Sequence, residues 1–279
     1  MTVASNLEDD NWPIGVPRPP RGEDLPWDDG EPMESTLHRL QMDYLCELFD
    51  VAVKADGGYV CGNMALYYSA LQAKRNDFKA PDVFVILDPV GDHPRKSWVV
   101  WEEDGRVPNV VVELLSESTE AKDRGLKMRI YERLLRVPNY YLYDPIDFRL
   151  EGYRLVEGVY IPLIPDAHGR LYWGERNLWL GRWQGTRYGQ NSTWLRLFDA
   201  DGALVPTPTE AEAQRADAEA QRAEAEAQRA EAEAQRAEAE AQRAEAEAQR
   251  ANAAEARVEA LLLELERLRS AAVGGSRSE

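Results

Sequence analysis

Cysteine is nearly absent from this chain, with only Cys46 and Cys61 in 279 residues. They form no CxxC pair, which argues against a zinc site. Nor do they supply a disulfide framework, as expected of a chain kept in a reducing cytosol. Long apolar runs are missing too, so no segment approaches the length of a membrane span. The first residues lack the basic start and apolar stretch of a secretory leader and carry Glu8, Asp9 and Asp10 instead. Together these absences predict a soluble, cytoplasmic protein without a membrane partner.

Large apolar and aromatic residues are scarce outside about 37–198. The hydrophobic share of 44% is swollen by alanine in a repetitive C-terminal stretch, and the middle alone is long enough to bury a core. Charge is uneven in the same way. The net charge of −17 divides into about −7 in residues 1–34, about −3 in 35–209 and about −7 in 210–279. An acidic chain is a poor match for DNA, but here the excess acid lies in the flanks and excludes little.

Residues 1–33 hold Pro13, Pro17, Pro19, Pro20, Pro26 and Pro32 among acids and glycines. Such a composition predicts a flexible arm, with Trp12 and Trp27 as local docking points. Residues 34–202 read as an α/β domain. Leu37, Leu40, Tyr44, Leu45 and Leu48 recur at helical spacing from a Ser35 or Thr36 cap. Short strands are expected at 59–61, 65–69 and 98–101. Two stronger ones are Val83-Phe84-Val85-Ile86-Leu87 and Val110-Val111-Val112-Glu113-Leu114-Leu115, both continuous and β-branched enough to be buried. A helix with a Leu126, Ile130, Leu134 stripe follows, Pro138 stops it, and 140–143 is a further strand. Residues 148–200 look β-rich, with hairpin signals at Glu157-Gly158, His168-Gly169 and Asp201-Gly202.

Pro206 and Pro208 mark a linker over 203–209. A seven-residue unit of the type Ala-Glu-Ala-Gln-Arg-Ala-Glu then repeats to about residue 251. It is made of strong helix formers, with Arg222 to Glu226 and Glu226 to Arg229 at ion-pair spacing. Ala213, Ala216, Ala220 and Ala223 follow a coiled-coil rhythm, continued by Val258, Leu261, Leu265 and Leu268. A helical coiled-coil tail is expected over 210–272, as a single solvated helix or as a homo-oligomer contact, with a disordered end at 273–279.

Acids inside apolar strands demand a reason. Glu113 lies between Val112 and Leu114, and both faces of its strand are otherwise apolar. A buried carboxylate needs a cation, a hydrogen-bonded partner or a proton. Asp82 opens the other strong strand, and two carboxylates with a main-chain carbonyl and waters suit Mg²⁺ or Mn²⁺. Lys127, four residues from both Asp123 and Tyr131 on the following helix, can run its stem along the core and present its ammonium to the acids. Each has a plainer reading taken singly: Pro-Asp is a common strand entry, Glu113 could pair with an arginine, and Lys127 could lie on the surface.

Pro81-Asp82, Glu113-Leu114-Leu115-Ser116, Asp123, Lys127, Tyr131 and Tyr141-Leu142-Tyr143-Asp144-Pro145 occur in that order. Over about residues 34–202 the chain resembles a bacterial restriction-endonuclease family of the PD-(D/E)XK superfamily, in which an alanine-rich helical tail is also familiar. The resemblance implies a restriction-endonuclease-like mixed β-sheet core flanked by helices. It also implies a Mg²⁺-dependent endodeoxyribonuclease with Asp82, Glu113 and Lys127 as catalytic residues. Asp82, Glu113 and the backbone carbonyl of Leu114 would hold the metal. In the superfamily the lysine stands two residues after the strand acid, where this chain has Leu115, so Lys127 takes that place. A further acid from the first helix would be Glu34 or Glu47, and His38 could approach the site. Lys122, Arg124, Arg129 and Arg133 are candidate DNA-phosphate contacts. The competing expectation is a catalytically inactive nuclease-like scaffold that binds DNA or assembles through its tail.

Overall fold

The computed structural model describes residues 18–26, 35–74, 78–88, 91 and 93–275. The chain forms two units, Met1–Glu210 and Ala211–Glu279. Strands of the first unit, in chain order, are β1 (Tyr59–Gly62), β2 (Leu66–Tyr67), β3 (Val83–Ile86), β4 (Trp98–Val99), β5 (Val110–Leu114), β6 (Asn139–Tyr143), β7 (Leu150–Val156), β8 (Val159–Pro162), β9 (Leu171–Trp173), β10 (Leu178–Arg187) and β11 (Gln190–Phe198). The centre is a six-stranded mixed sheet ordered β1-β3-β5-β6-β7-β8. Only β5 and β6 run parallel, and the helical segment 120–135 makes the crossover between them. This is the expected α/β class, a mixed sheet with helices.

The two strong strands have their expected burial, with every residue of β3 and β5 inside. Alternate side chains feed two different cores. Val83, Val85, Val110, Val112 and Leu114 pack with helix α1 (Thr36–Val53) and with a three-stranded antiparallel sheet, β9-β10-β11. Phe84, Ile86, Val111 and Leu115 pack beneath the 120–135 segment with Ile130, Tyr131 and Leu135. Ser35 caps α1, its hydroxyl accepting from the His38 N–H at 3.1 Å.

The hairpin signals after residue 148 fall where the chain turns. Glu157 and Gly158 join β7 to β8 with φ of 50° and 86°, the left-handed pair that a two-residue hairpin of this kind requires. Tyr188 and Gly189, which were not among the expected turns, join β10 to β11 in the same way, with φ of 50° and 73°.

The helix stripe differs from expectation. Leu126 and Leu134 are 53% and 63% exposed, whereas Asp123, Ile130, Tyr131 and Leu135 are buried. The reason is two wide turns of the π type, Asp123–Lys127 and Tyr131–Leu135. In an α-helix, residues four apart overshoot a turn by about 40°. Wider i→i+5 turns remove that overshoot, so 123, 127, 131 and 135 stay on one face. Arg136 then takes a left-handed conformation (φ 53°) two residues before Pro138, and the helix ends.

Part of the stretch expected to be a flexible arm is packed. Leu25 is buried beside Tyr67 and Val99, Tyr67 donates to the Pro26 carbonyl at 2.5 Å, and the Trp101 indole donates to the Pro20 carbonyl at 3.2 Å. Trp12 and Trp27 lie outside the described residues.

The last helix runs Pro208–Gly275. Its start was expected to be linker but is a built cap. The Glu210 N–H donates to Thr207 Oγ1 and the Thr207 N–H to Glu210 Oε2, at 3.2 and 2.9 Å. That is the reciprocal capping box, with Pro208 at the first helical position, where its missing N–H costs nothing. Arg196, 1% exposed, holds the same Glu210 carboxylate at 2.7 and 3.1 Å. From Ala211 on, the second unit is one helix whose described side chains are almost all exposed, the leucine-rich stretch included. No helix of the described residues is long and apolar enough to cross a membrane.

Candidate active site

The sheet register brings the strand acids together. Val83 pairs with Val112 across the antiparallel β3–β5 ladder. One step further sets Asp82 opposite Glu113. Asp82 has the parity of Phe84 and Ile86, and Glu113 that of Val111 and Leu115, so both project onto the face covered by the 120–135 segment. The Asp82 N–H donates to Glu113 Oε2 at 3.3 Å.

The helix supplies the rest. Lys127 Nζ lies 3.0 Å from Glu113 Oε2 and 2.8 Å from Asp123 Oδ1. The Tyr131 hydroxyl donates to Glu113 Oε1 at 2.9 Å. The three contacts come from residues 123, 127 and 131, the face that the wide turns keep aligned. Sequence spacing had put Asp123 and Tyr131 beside Lys127, but no feature of the sequence assigned them a contact. Tyr140 fixes the helix from below, its hydroxyl donating to the Asp123 carbonyl at 2.9 Å.

Asp82 is held at both oxygens. His38 Nε2 is 2.8 Å from Oδ1, and the Leu114 N–H donates to Oδ2 at 2.7 Å. Its side chain is 17% exposed and that of Lys127 19%, while Glu113 is fully buried, so the cluster meets solvent through Asp82 and Lys127.

The electrostatics are unbalanced. Three carboxyl groups, Asp82, Glu113 and Asp123, gather around the single ammonium of Lys127. Burial pushes Glu113 up to about 8; Lys127 opposes the rise, and Asp123 and Asp82 add to it. Burial likewise raises Asp123, against the pull of Lys127. For Lys127, burial alone would favour the neutral amine, but Glu113, Asp123 and Asp82 outweigh it and hold the group charged well above its ordinary range. A shortage of positive charge around buried acids is the condition a divalent cation satisfies. Among the described residues, no three His, Cys, Asp or Glu side chains converge as a ready-made metal cage. A cation here would therefore rest on two carboxylates with waters, a donor set that suits Mg²⁺.

The remaining candidates separate. Glu47 does not reach this cluster; it pairs with Arg187. Glu34 lies outside the described residues. Arg124 is committed to Glu151 through two bonds of 2.7 Å and to Glu120 at 2.8 Å, and Arg133 to Glu132 at 3.2 Å. Lys122 and Arg129 are exposed on the same helix.

No curated protein matches the chain. A solved structure described as a putative nuclease belonging to DUF820, from Anabaena variabilis ATCC 29413, is similar at 15% identity and a TM-score of 0.37, covering 49% of this chain and 73% of that one. The model of the family Uma2, "Putative restriction endonuclease", matches residues 16–174, a span that contains Asp82, Glu113, Asp123, Lys127 and Tyr131. That match takes in more than half of the 279 residues, and the chain belongs to the Uma2 family.

Proposed function

We propose that the protein is a metal-dependent endonuclease that hydrolyses DNA phosphodiester bonds at Asp82, Glu113 and Lys127. The observation that carries this reading is the fully buried Glu113 carboxylate, joined to Asp82 and Lys127 in one cluster with more acid than base around it. A purely structural ion pair has no use for that excess. Membership of a restriction-endonuclease family points the same way.

In this reading Asp82, Glu113 and the backbone carbonyl of Leu114 hold Mg²⁺ or Mn²⁺. A divalent cation so placed makes a bound water acidic and offsets charge on the phosphate. Lys127 acts through its charge. Held protonated between Glu113 and Asp123, it is a poor general base and a good partner for the developing negative charge on a phosphoryl oxygen. Tyr131 keeps the Glu113 carboxylate from turning by bonding its other oxygen.

The test is nicking or cutting of plasmid DNA by the purified chain with Mg²⁺ or Mn²⁺. Glu113→Gln is expected to lower the rate at least about a thousandfold, and Lys127→Ala about a hundredfold or more. Equal inactivity of wild type and Glu113→Gln on every DNA form would leave the scaffold reading in its place.

A further inference from the structure

We propose that His38 is a positioning residue that locks the Asp82 carboxylate for cation binding, an inference that rests on the reading of Asp82 and Glu113 as a cation site. His38 stands 44 residues from Asp82 in the chain and on another element, yet the two meet at 2.8 Å. A carboxylate oxygen offers only lone pairs, so the imidazole Nε2 carries the hydrogen and donates. With the Leu114 N–H on Oδ2, each oxygen of Asp82 is then pinned by a group from a different element. Remove one and the carboxylate, whose side chain is partly exposed, is free to turn outward.

The element that carries His38 is itself fixed. Three residues further along α1, the Gln41 side chain closes a pair of hydrogen bonds with Leu195 of β11. Its Oε1 accepts from the Leu195 N–H at 2.8 Å, and its Nε2 donates to the Leu195 carbonyl at 3.2 Å. Both Gln41 and His38 are buried, and Ser35 caps the turn they stand on. The helix can neither slide nor rotate without breaking that clamp, so the ring arrives at Asp82 in one place. The first helix thus contributes to the site through a histidine that orients an acid, and Glu47, the described acid candidate on it, is spent on Arg187. Groups that orient a metal-binding carboxylate typically carry a 10- to 100-fold effect on affinity.

The experiment is Mn²⁺ binding to the full chain at one fixed pH, read from the electron paramagnetic resonance of free Mn²⁺, with melting temperature as a control. Three variants are compared: His38→Ala, His38→Gln and His38→Asn. The glutamine amide nitrogen stands as many bonds from the backbone as Nε2, and the asparagine nitrogen stands one bond short. His38→Ala and His38→Asn are expected to weaken Mn²⁺ binding about tenfold or more, and His38→Gln to stay within about threefold of wild type. DNA cleavage should fall in the same order. Should His38→Ala fail to fold, the contrast between His38→Gln and His38→Asn decides. Wild-type affinity in His38→Ala, or loss in His38→Gln equal to that in His38→Asn, overturns the positioning role and leaves the cation site standing. A wild-type chain that binds no Mn²⁺ overturns the cation site and this role with it.

Discussion

Glu103 and Glu113 are both buried glutamates in the first unit, and their surroundings are opposite. Glu103 meets one guanidinium, Arg95, through bonds of 2.6 and 3.1 Å, and that guanidinium lies over the rings of Tyr59 and Trp98 at 5.0 and 5.3 Å. The two groups meet in the bidentate geometry that guanidinium and carboxylate share, and the exposed His93 ring also comes within 3.6 Å of Oε1, so no acid is left in surplus. Glu113 instead shares one ammonium with Asp123 and has Asp82 beside it. Burial with a closed charge balance is that of a structural pair; burial with surplus acid is what the proposed cation site would account for. Removal of each glutamate separates the two cases. Glu103→Gln leaves Arg95 buried without its counter-charge and should cost about 3 kcal/mol of stability. Glu113→Gln leaves Lys127 its partner Asp123 and removes a surplus charge, so at pH 8 and without metal it should be neutral or stabilising. Urea denaturation of the two variants beside wild type checks both signs, and a large loss in Glu113→Gln would erase the distinction.

The same contrast should be visible in the pH dependence of stability. Folded Glu113 keeps its proton up to about 8, against an ordinary value of 4.5. Between those values the folded chain binds more protons through this group than the unfolded chain does. Stability carried by Glu113 therefore falls as pH rises from 4.5 to about 8 and is level above that. A shift of that size corresponds to a drop on the order of 5 kcal/mol. Denaturation in a chelating buffer at several pH values should show this slope in wild type and a flatter curve in Glu113→Gln. Identical slopes in the two proteins would mean that Glu113 does not hold the proton.

The Glu113 side of this contrast could be read in the sequence, the Glu103 side could not, and what was missed has a physical cause. Glu113 stood out because five apolar neighbours on one strand leave a carboxylate unexplained, and strand burial is a local property. The same holds for Val83–Ile86 and for the Glu157-Gly158 turn. Register is not local: nothing in the sequence around Asp82 says that Val83 meets Val112. The helix face was misjudged because Leu126, Ile130 and Leu134 follow α-helical periodicity, while the wide turns bury Asp123, Tyr131 and Leu135 in place of the two leucines. The Thr207-Pro208-Thr209-Glu210 cap carries a readable signature, but two prolines nearby suggested a linker. His38 was visible only as a histidine near a helix start, since its partner lies on another element.

Arg124 tests where the line between the two kinds of site falls. It sits on the same helix as Lys127, three residues before it, and it too meets two acids, Glu120 and Glu151. The difference is solvent: its side chain is 30% exposed and those of Glu120 and Glu151 are 35% and 38% exposed. Water and a second guanidinium, Arg149 at 3.6 Å from Glu120 Oε1, compensate the extra charge there, so the expectation is that Arg124 is held for structure and not offered to DNA. Arg124→Gln should accordingly cost no more than about 1 kcal/mol, since screening by solvent discounts an exposed pair. It should also leave DNA affinity and its salt dependence as they are in wild type. Lys122→Gln, on an exposed lysine of the same helix, provides the control for a phosphate contact, for which the salt slope should shrink by about one. A reduced salt slope in Arg124→Gln would show that Glu120 and Glu151 release the arginine to DNA, and exposure would then not separate the structural pairs from the functional ones.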